Sequence, residues 1–358
     1  MNIKSVAPVR VDLSGGTVDI WPLYLMIPGA VTTNLGIDLF AETELVETQD
    51  GQGTVTFKSS DQNTELKIKW SELEKQKTIP QLVLHQLLTE YFYHLKKEDG
   101  SFNPKSSLMV STRATSPAGA GLGGSSALCV SIIAALSCWL SGKVESELDG
   151  ERFISVAKDV ESRVIQAPAG LQDYYGAVYG GLQSIEWGVF QHKRNDFGAE
   201  LLQDLQSRMI LFYSGLSRNS GINNWQVFKD FFDKKVEVRK HLESITSSTL
   251  DLNRALSKGD WNGIIEAIRS EWAARRQLAP GISTPEMDQA FKRAEKITKD
   301  IAYKVCGAGG GGCFFLILKE SNDEIKAEII EAVTSGTDIR HLPFHAVPYG
   351  VSVKPSLS

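Results

Sequence analysis

Residues 116–127, SPAGAGLGGSSA, place Gly119, Gly121, Gly123 and Gly124 directly ahead of Ser125, Ser126 and an apolar run to Leu140. Glycines admit positive φ and let backbone N–H groups approach a ligand; a helix starting just after them adds unpaired N–H groups and the positive end of its dipole. Such a loop suits phosphate. A second cluster, KVCGAGGGGC, holds Gly307 and Gly309 to Gly312, more glycine than a tight turn requires. Carboxylates stand beside small residues at Asp19, in SGGTVD, and at Asp173, in GLQDY, with Glu161 on a helical stretch before them.

Three phosphate loops compete for the first cluster. The GxxxxGK[ST] pattern fails because no lysine follows the glycines. Gly119, Gly121 and Gly124 match GxGxxG, yet no Asp or Glu occurs from Ser125 to Val144, where a dinucleotide loop needs an acid, and about a hundred residues precede it. The remaining reading is a triphosphate held chiefly by backbone amides, with Ser125 or Ser126 offering a hydroxyl to Mg²⁺ at the helix start. An N-cap would use only one of the serines and would not explain the glycines.

The elements that must carry these residues are readable in outline. VAPVRVDL, AVTTNLGIDLFAETELVE, GTVTFKSS and ELKIKW read as strands, QLVLHQLLTEYFYHLKK as a helix, and SLMVST as the strand entering the loop. A buried helix then runs to about Leu140, with another near ERFISVAKDVESRVIQ. The second half reads as the strand RMILFYSG, helical segments from about Asn223 to Arg276 and from Pro285 to Ile301, a strand-like stretch around the second glycine cluster, the helix DEIKAEIIEAVTS and a last strand in HAVPYGVSV. This is an α+β pattern, and 358 residues favour two lobes.

Composition narrows the function. The net charge of −5 and the dispersed Lys and Arg residues give no nucleic-acid footprint. Cys129, Cys138, Cys306 and Cys313 form no CxxC pair and read as reduced intracellular thiols, and the six histidines show no metal-ligand spacing. The opening MNIKSVAPVRVDL has no apolar signal core, and Leu128 to Leu140 is short for a bilayer span, so a cytoplasmic protein with no membrane partner is expected, as a monomer or homodimer.

Taken together, three segments resemble the GHMP kinases, the superfamily named for galactokinase, homoserine kinase, mevalonate kinase and phosphomevalonate kinase. Pro117 to Ala127 is similar to its PxxxGLGSSA nucleotide loop, Pro8 to Asp19 (PVRVDLSGGTVD) to its substrate-side motif, and Lys304 to Cys313 to its C-terminal glycine motif, in the family's order. PAGLQDYYGAVYGG, LFYSGLSR and EWAARRQLAPGISTPEMD resemble stretches of the sugar-type members, especially D-glycero-D-manno-heptose 7-phosphate kinases. Two departures fall in these stretches. GGTVD stands where those kinases usually carry GGGTD, and Tyr174 stands where they have Gln. Gly16 and Thr17 replace the acid-histidine pair of galactokinases.

The resemblance implies a ribosomal-protein-S5-like N-terminal lobe over residues 1–188, a ferredoxin-like C-terminal lobe over 189–358, and ATP between them. It implies that Asp173 engages the acceptor hydroxyl and that Arg10 beside it favours the ionised carboxylate and neutralises charge on the transferred group. It assigns Ser125 and Glu161 to Mg²⁺, and Pro117, Gly119, Ala120, Gly121, Leu122, Gly123, Gly124, Ser125, Ser126, Gly309 and Gly310 to the nucleotide. Gly15, Gly16, Asp19, Gln172, Asp173 and Arg218 fall to the acceptor, with Arg275 and Arg276 as further cations for a substrate phosphate.

The activity so implied is phosphoryl transfer from ATP to a sugar hydroxyl, the anomeric hydroxyl of a heptose 7-phosphate foremost. Fucokinase-like and galactokinase-like acceptors are alternatives. A silent sugar or nucleotide sensor of the same fold would have no chemical need of Asp173, Glu161, Ser125 and Arg10 together. A dehydrogenase is opposed by the missing acid, and an isoprenoid-alcohol kinase by the polar GGTVD segment.

Overall fold

The computed structural model describes residues 1–76, 79–143, 149–216 and 220–355. Alternating Val, Ala and Leu extend the opening stretch into β1 (Asn2–Ser14); α1 (Leu23–Met26) and a turn at Pro28 and Gly29 lead to β2 (Val31–Thr48). β3 (Thr54–Ser59), β4 (Thr64–Lys69), α2 (Val83–Glu98) and β5 (Ser107–Ala114) follow. Then come α3 (Gly124–Ser141), α4 (Gly150–Ile165), α5 (Gln172–Tyr179), β6 (Leu182–Glu186) and β7 (Lys193–Asp196). The second half runs α6 (Ala199–Arg208), β8 (Met209–Tyr213), α7 (Ser220–Phe232), α8 (Val236–Leu256) and α9 (Trp261–Arg275). It ends with α10 (Pro285–Ile297), β9 (Ile301–Val305), β10 (Cys313–Leu318), α11 (Asp323–Thr334), β11 (Arg340–His341) and β12 (Ser352–Pro355).

Among the described residues the first sheet has the order β12-β1-β2-β5-β3-β4, with β6 on β2 and β7 on β6. Its pairs are antiparallel except β3 with β5. The second sheet is antiparallel, in the order β11-β8-β10-β9. A boundary after residue 188 falls between β6 and β7, but β7 and β12 both pair into the first sheet, so the sheets do not divide where the sequence suggested. An unpaired edge on β1 or β6 would leave a row of open N–H and C=O groups, and these later strands cover it.

Helix starts in the second half carry the caps their sequences announce. Thr284, ahead of Pro285 at the first helical position, accepts from the Met287 N–H; Asp260 accepts from Gly263 and Asn322 from Ile325. The apolar helix α3 packs on β1 and β2. At 18 residues it is longer than the apolar run read from sequence and long enough to cross a membrane, but 67% of it is buried inside the protein, as befits a core helix. For the site, the important outcome is that the middle of β1, the loop before α3 and the first turn of α5 meet.

Candidate active site

Arg10 sits in the middle of β1 with its side chain 4% exposed, and Asp173, 26% exposed, lies in the first turn of α5. The Arg10 Nε donates to Asp173 Oδ1 at 2.9 Å, its Nη2 pairs with the same oxygen, and its Nη1 donates to the Gly121 carbonyl at 2.8 Å. Burial works against the guanidinium charge, but Asp173 and Asp12 more than offset it and hold its pKa above the ordinary value. The Arg10 N–H also donates to the Leu122 carbonyl at 3.0 Å. One arginine thus locks the acid to the glycine loop.

The loop itself lines a cleft of about 1050 Å³, with Pro117 and every residue from Gly119 to Ser126 on its wall. Gly119, Gly121 and Gly123 all have positive φ, and Gly123 is the N-cap of α3 with no side-chain cap. The serines are therefore not caps. They occupy the first turn of α3, whose N–H groups remain available to an anion. A Cβ on Gly123 would lie 3.3 Å from Asp173 Cγ, a tight contact, and its φ of +73° also favours glycine where the loop approaches the acid.

Ser125 is exposed to the cleft, whereas Ser126 is buried. Ser126 Oγ donates to Glu161 Oε2 at 2.8 Å, and the Tyr174 hydroxyl donates to the same oxygen at 2.7 Å. Burial raises the Glu161 pKa above the ordinary range, while hydroxyl bonds from Ser125, Tyr174 and Ser126 partly oppose it. An exposed hydroxyl beside a buried carboxylate at the mouth of the glycine loop fits Mg²⁺, which takes few protein oxygens and completes its shell with phosphates and water. No cluster of three or more His, Cys, Asp or Glu ligands exists among the described residues.

Asp19 lines the cleft, is 1% exposed and accepts the Gln172 N–H at 2.9 Å. Burial pushes its pKa up to about 7; the Gln172 bond opposes this, and Asp173 and Asp12 add to it. Gln172 also lines the cleft, next to Asp173.

Other expectations need correction. Gly15 and Gly16 do not line the cleft: a Cβ on Gly15 would meet the Val31 carbonyl at 2.2 Å, and one on Gly16 would meet Asp12 Oδ2 at 2.3 Å. Their glycine character serves internal packing, not approach of the backbone to a ring. Gly309 and Gly310 face Ile282, whose carbonyl accepts the Gly310 N–H at 2.9 Å; Gly307 and Ala308 are the members of that cluster on the cleft wall. Arg275 is buried and bonded to Glu271, so it meets no substrate phosphate, and Arg276 lies 3.6 Å from Asp288. Arg218 lies outside the described residues.

Sequence reading missed a buried group behind the site. Lys304 Nζ stands 3.2 Å from Asp12 Oδ1 and 3.0 Å from Glu271 Oε1; Arg275 pairs with the same Glu271 oxygen and donates to the Gly16 carbonyl at 2.9 Å. The available signal was a charge within each of two apolar strands, Asp12 beside Arg10 in VRVDL and Lys304 alone in IAYKV. Of the aromatics, Tyr174 and Tyr175 are core residues, while Trp225 is 40% exposed and lines the cleft.

Residues 86–181 match the family model for the GHMP kinases N terminal domain, and residues 252–334 match that for the GHMP kinases C terminal. The chain is a GHMP kinase. This kinase is 25% identical to the D-glycero-alpha-D-manno-heptose 7-phosphate kinase of Campylobacter jejuni, over 88% of this chain and 89% of that protein. It is 24% identical to the L-fucokinase/L-fucose-1-P guanylyltransferase of Bacteroides fragilis, over 89% of this chain but only 35% of the relative. Its fold matches the crystal structure of a D-glycero-D-manno-heptose 1-phosphate kinase from Bacteriodes thetaiotaomicron with a TM-score of 0.74 at 23% identity, covering 99% of this chain and 100% of that one. The two-lobed α+β fold expected from the sequence is the fold of this kinase.

Proposed function

We propose that this GHMP kinase transfers the γ-phosphoryl group of ATP to a hydroxyl of a sugar, with the anomeric hydroxyl of D-glycero-D-manno-heptose 7-phosphate the leading acceptor. The observation that carries the reading is Asp173, bonded to Arg10, touching the glycine loop and open to a cleft with Asp19 on its wall. The acceptor oxygen attacks the γ-phosphorus, the bond to the bridging oxygen of ADP breaks, and the acceptor proton passes to the Asp173 carboxylate. The backbone of Gly119 to Gly124 holds the phosphates, and Arg10 neutralises charge near the transferred group. Ser125 and Glu161 are the residues that would hold Mg²⁺, which would neutralise phosphate charge. Asp19 accepts hydrogen bonds from acceptor hydroxyls, and Gln172 lies beside it. The heptose choice rests on the Campylobacter relative, whose length this chain nearly spans; the fucokinase relative supports a sugar acceptor more broadly.

The test is ADP release with Mg²⁺ and ATP across heptose 7-phosphates, fucose, galactose, mannose and mevalonate, with Asp173→Asn alongside. Turnover on one sugar that collapses in the variant supports the reading. ATP binding without turnover on any acceptor replaces it with a nucleotide-binding regulator.

A further inference from the structure

Thr17 is a β-branched residue with φ +75°, a backbone region that glycine enters freely and threonine rarely does. Such a conformation persists only where the surroundings over-determine it. Here they do: Arg275 Nη2 donates to the Gly16 carbonyl at 2.9 Å, the Gly15 N–H donates to Glu271 Oε1 at 3.3 Å, and the Val18 N–H closes back on the Gly15 carbonyl at 3.2 Å. A glycine at position 17 would relieve the backbone and remove the side chain. The side chain it would remove ends on the cleft wall, where Thr17 Oγ1 donates to Asn224 Oδ1 at 3.1 Å. Asn224 belongs to α7, so the bond joins the loop after β1 to a helix more than 200 residues away in sequence. Asn224, Trp225 and Asp19 line the same cleft.

We infer that Thr17 and Asn224 are specificity-determining residues that read a vicinal diol of the phosphoryl acceptor; this rests on the sugar reading of the site above. With its proton given to Asn224 Oδ1, the Thr17 oxygen offers lone pairs, and the Asn224 amide nitrogen offers two N–H donors. An acceptor and a donor side by side match two adjacent hydroxyls, each of which donates and accepts. A part-buried polar pair also disfavours an analogue lacking the hydroxyl, because its own groups then lose that partner.

The experiment compares wild type with Thr17→Gly, Thr17→Ser and Asn224→Ala on the acceptor panel and on the epimers and deoxy analogues of the preferred sugar, together with thermal unfolding. Thr17→Gly is expected to unfold at or above the wild-type midpoint, raise acceptor KM about tenfold, leave ATP KM unchanged and lose discrimination against one deoxy analogue. Thr17→Ser should restore acceptor KM to within about twofold of wild type, and Asn224→Ala should repeat the effect of Thr17→Gly on the same analogue. Wild-type acceptor KM and discrimination in both Thr17→Gly and Asn224→Ala overturn this inference alone. Wild-type turnover of mevalonate and of no sugar, or of no acceptor at all, overturns the sugar reading and this inference with it.

Discussion

The ammonium of Lys304, on β9 of the second sheet, lies 3.2 Å from Oδ1 of Asp12, on β1 of the first, and both side chains are wholly buried. Asp12 is two residues along β1 from Arg10, on the same face of the strand, so this ion pair stands directly behind the residue that holds Asp173. Glu271 and Arg275 extend it to the backbone of Gly15 and Gly16. Burying charges is costly, and a group of this kind is stable only while every member keeps its partners.

Lys304→Met should therefore strip Asp12 of its ion-pair partner, leave Glu271 with Arg275 alone, and cost about 3–5 kcal/mol of stability. Urea unfolding at neutral pH measures this. Replacement of Lys304 together with Asp12 by apolar residues, which keeps the Glu271–Arg275 pair, should cost less than the single change.

Arg10→Lys should lower kcat about a hundredfold with little change in ATP KM. A lysine carries the charge but cannot reach Asp173 and the Gly121 carbonyl with a planar fork. Steady-state kinetics with ATP and acceptor varied in turn separates the two parameters.

The raised pKa of Asp19, about 7, predicts two opposite pH effects. Acceptor binding that needs the ionised carboxylate should weaken as pH falls below 7, and Asp19→Asn should flatten that limb of the kcat/KM profile. Stability runs the other way. Between the unfolded value near 3.8 and the folded value near 7, the native state binds the extra proton, so wild type loses about 1.4 kcal/mol per pH unit as pH rises through this window. Denaturation midpoints at pH 5 and pH 8 should show Asp19→Asn gaining on wild type at the higher pH.

Gly312→Ala should destabilise the protein by about 1–3 kcal/mol and raise ATP KM more than acceptor KM. Gly312 has φ +76°, and a Cβ there would lie 2.6 Å from the Ala120 carbonyl, which already accepts the Cys313 N–H at 2.7 Å. Thermal unfolding and an ATP titration check both parts.

Much of this cleft's lining could be read before any coordinates, because glycine loops and the carboxylates near them leave local marks. The glycine loop, its two serines, Asp173 and Glu161 lie in short stretches whose residue types have few other uses, and the structure brings Ser125, Ser126, Glu161 and Asp173 to one cleft wall. What could not be read depends on partners far away in the chain. Gly15 and Gly16 look like ligand glycines until Val31 and Asp12 are seen against them, and Arg275 looks like a free cation until Glu271 and Gly16 take its donors. The φ of Thr17 has no sequence signature, since its cause is the grip of residues on α9. Strand pairing failed to follow the expected boundary for the same reason: periodicity identifies a strand but not its neighbour.

The pairing of β12 with β1, register Ile3 to Pro355, has a consequence for biosynthesis. On the ribosome β1 is made well before β12, so its outer edge at Ile3 to Val6 waits for a partner until residue 355 has been translated. The nascent first sheet is thus open along that part of β1 until β12 is made, and a fragment ending near residue 188 would carry the open edge permanently. Closing so long a loop is slow, and the first glycine loop gains its bond from Cys313, next to the second glycine cluster, only once β10 begins to be made. That contact therefore follows the translation of β10, and a chain stalled before it would combine an unfinished cleft wall with a strand edge prone to pairing with its neighbours.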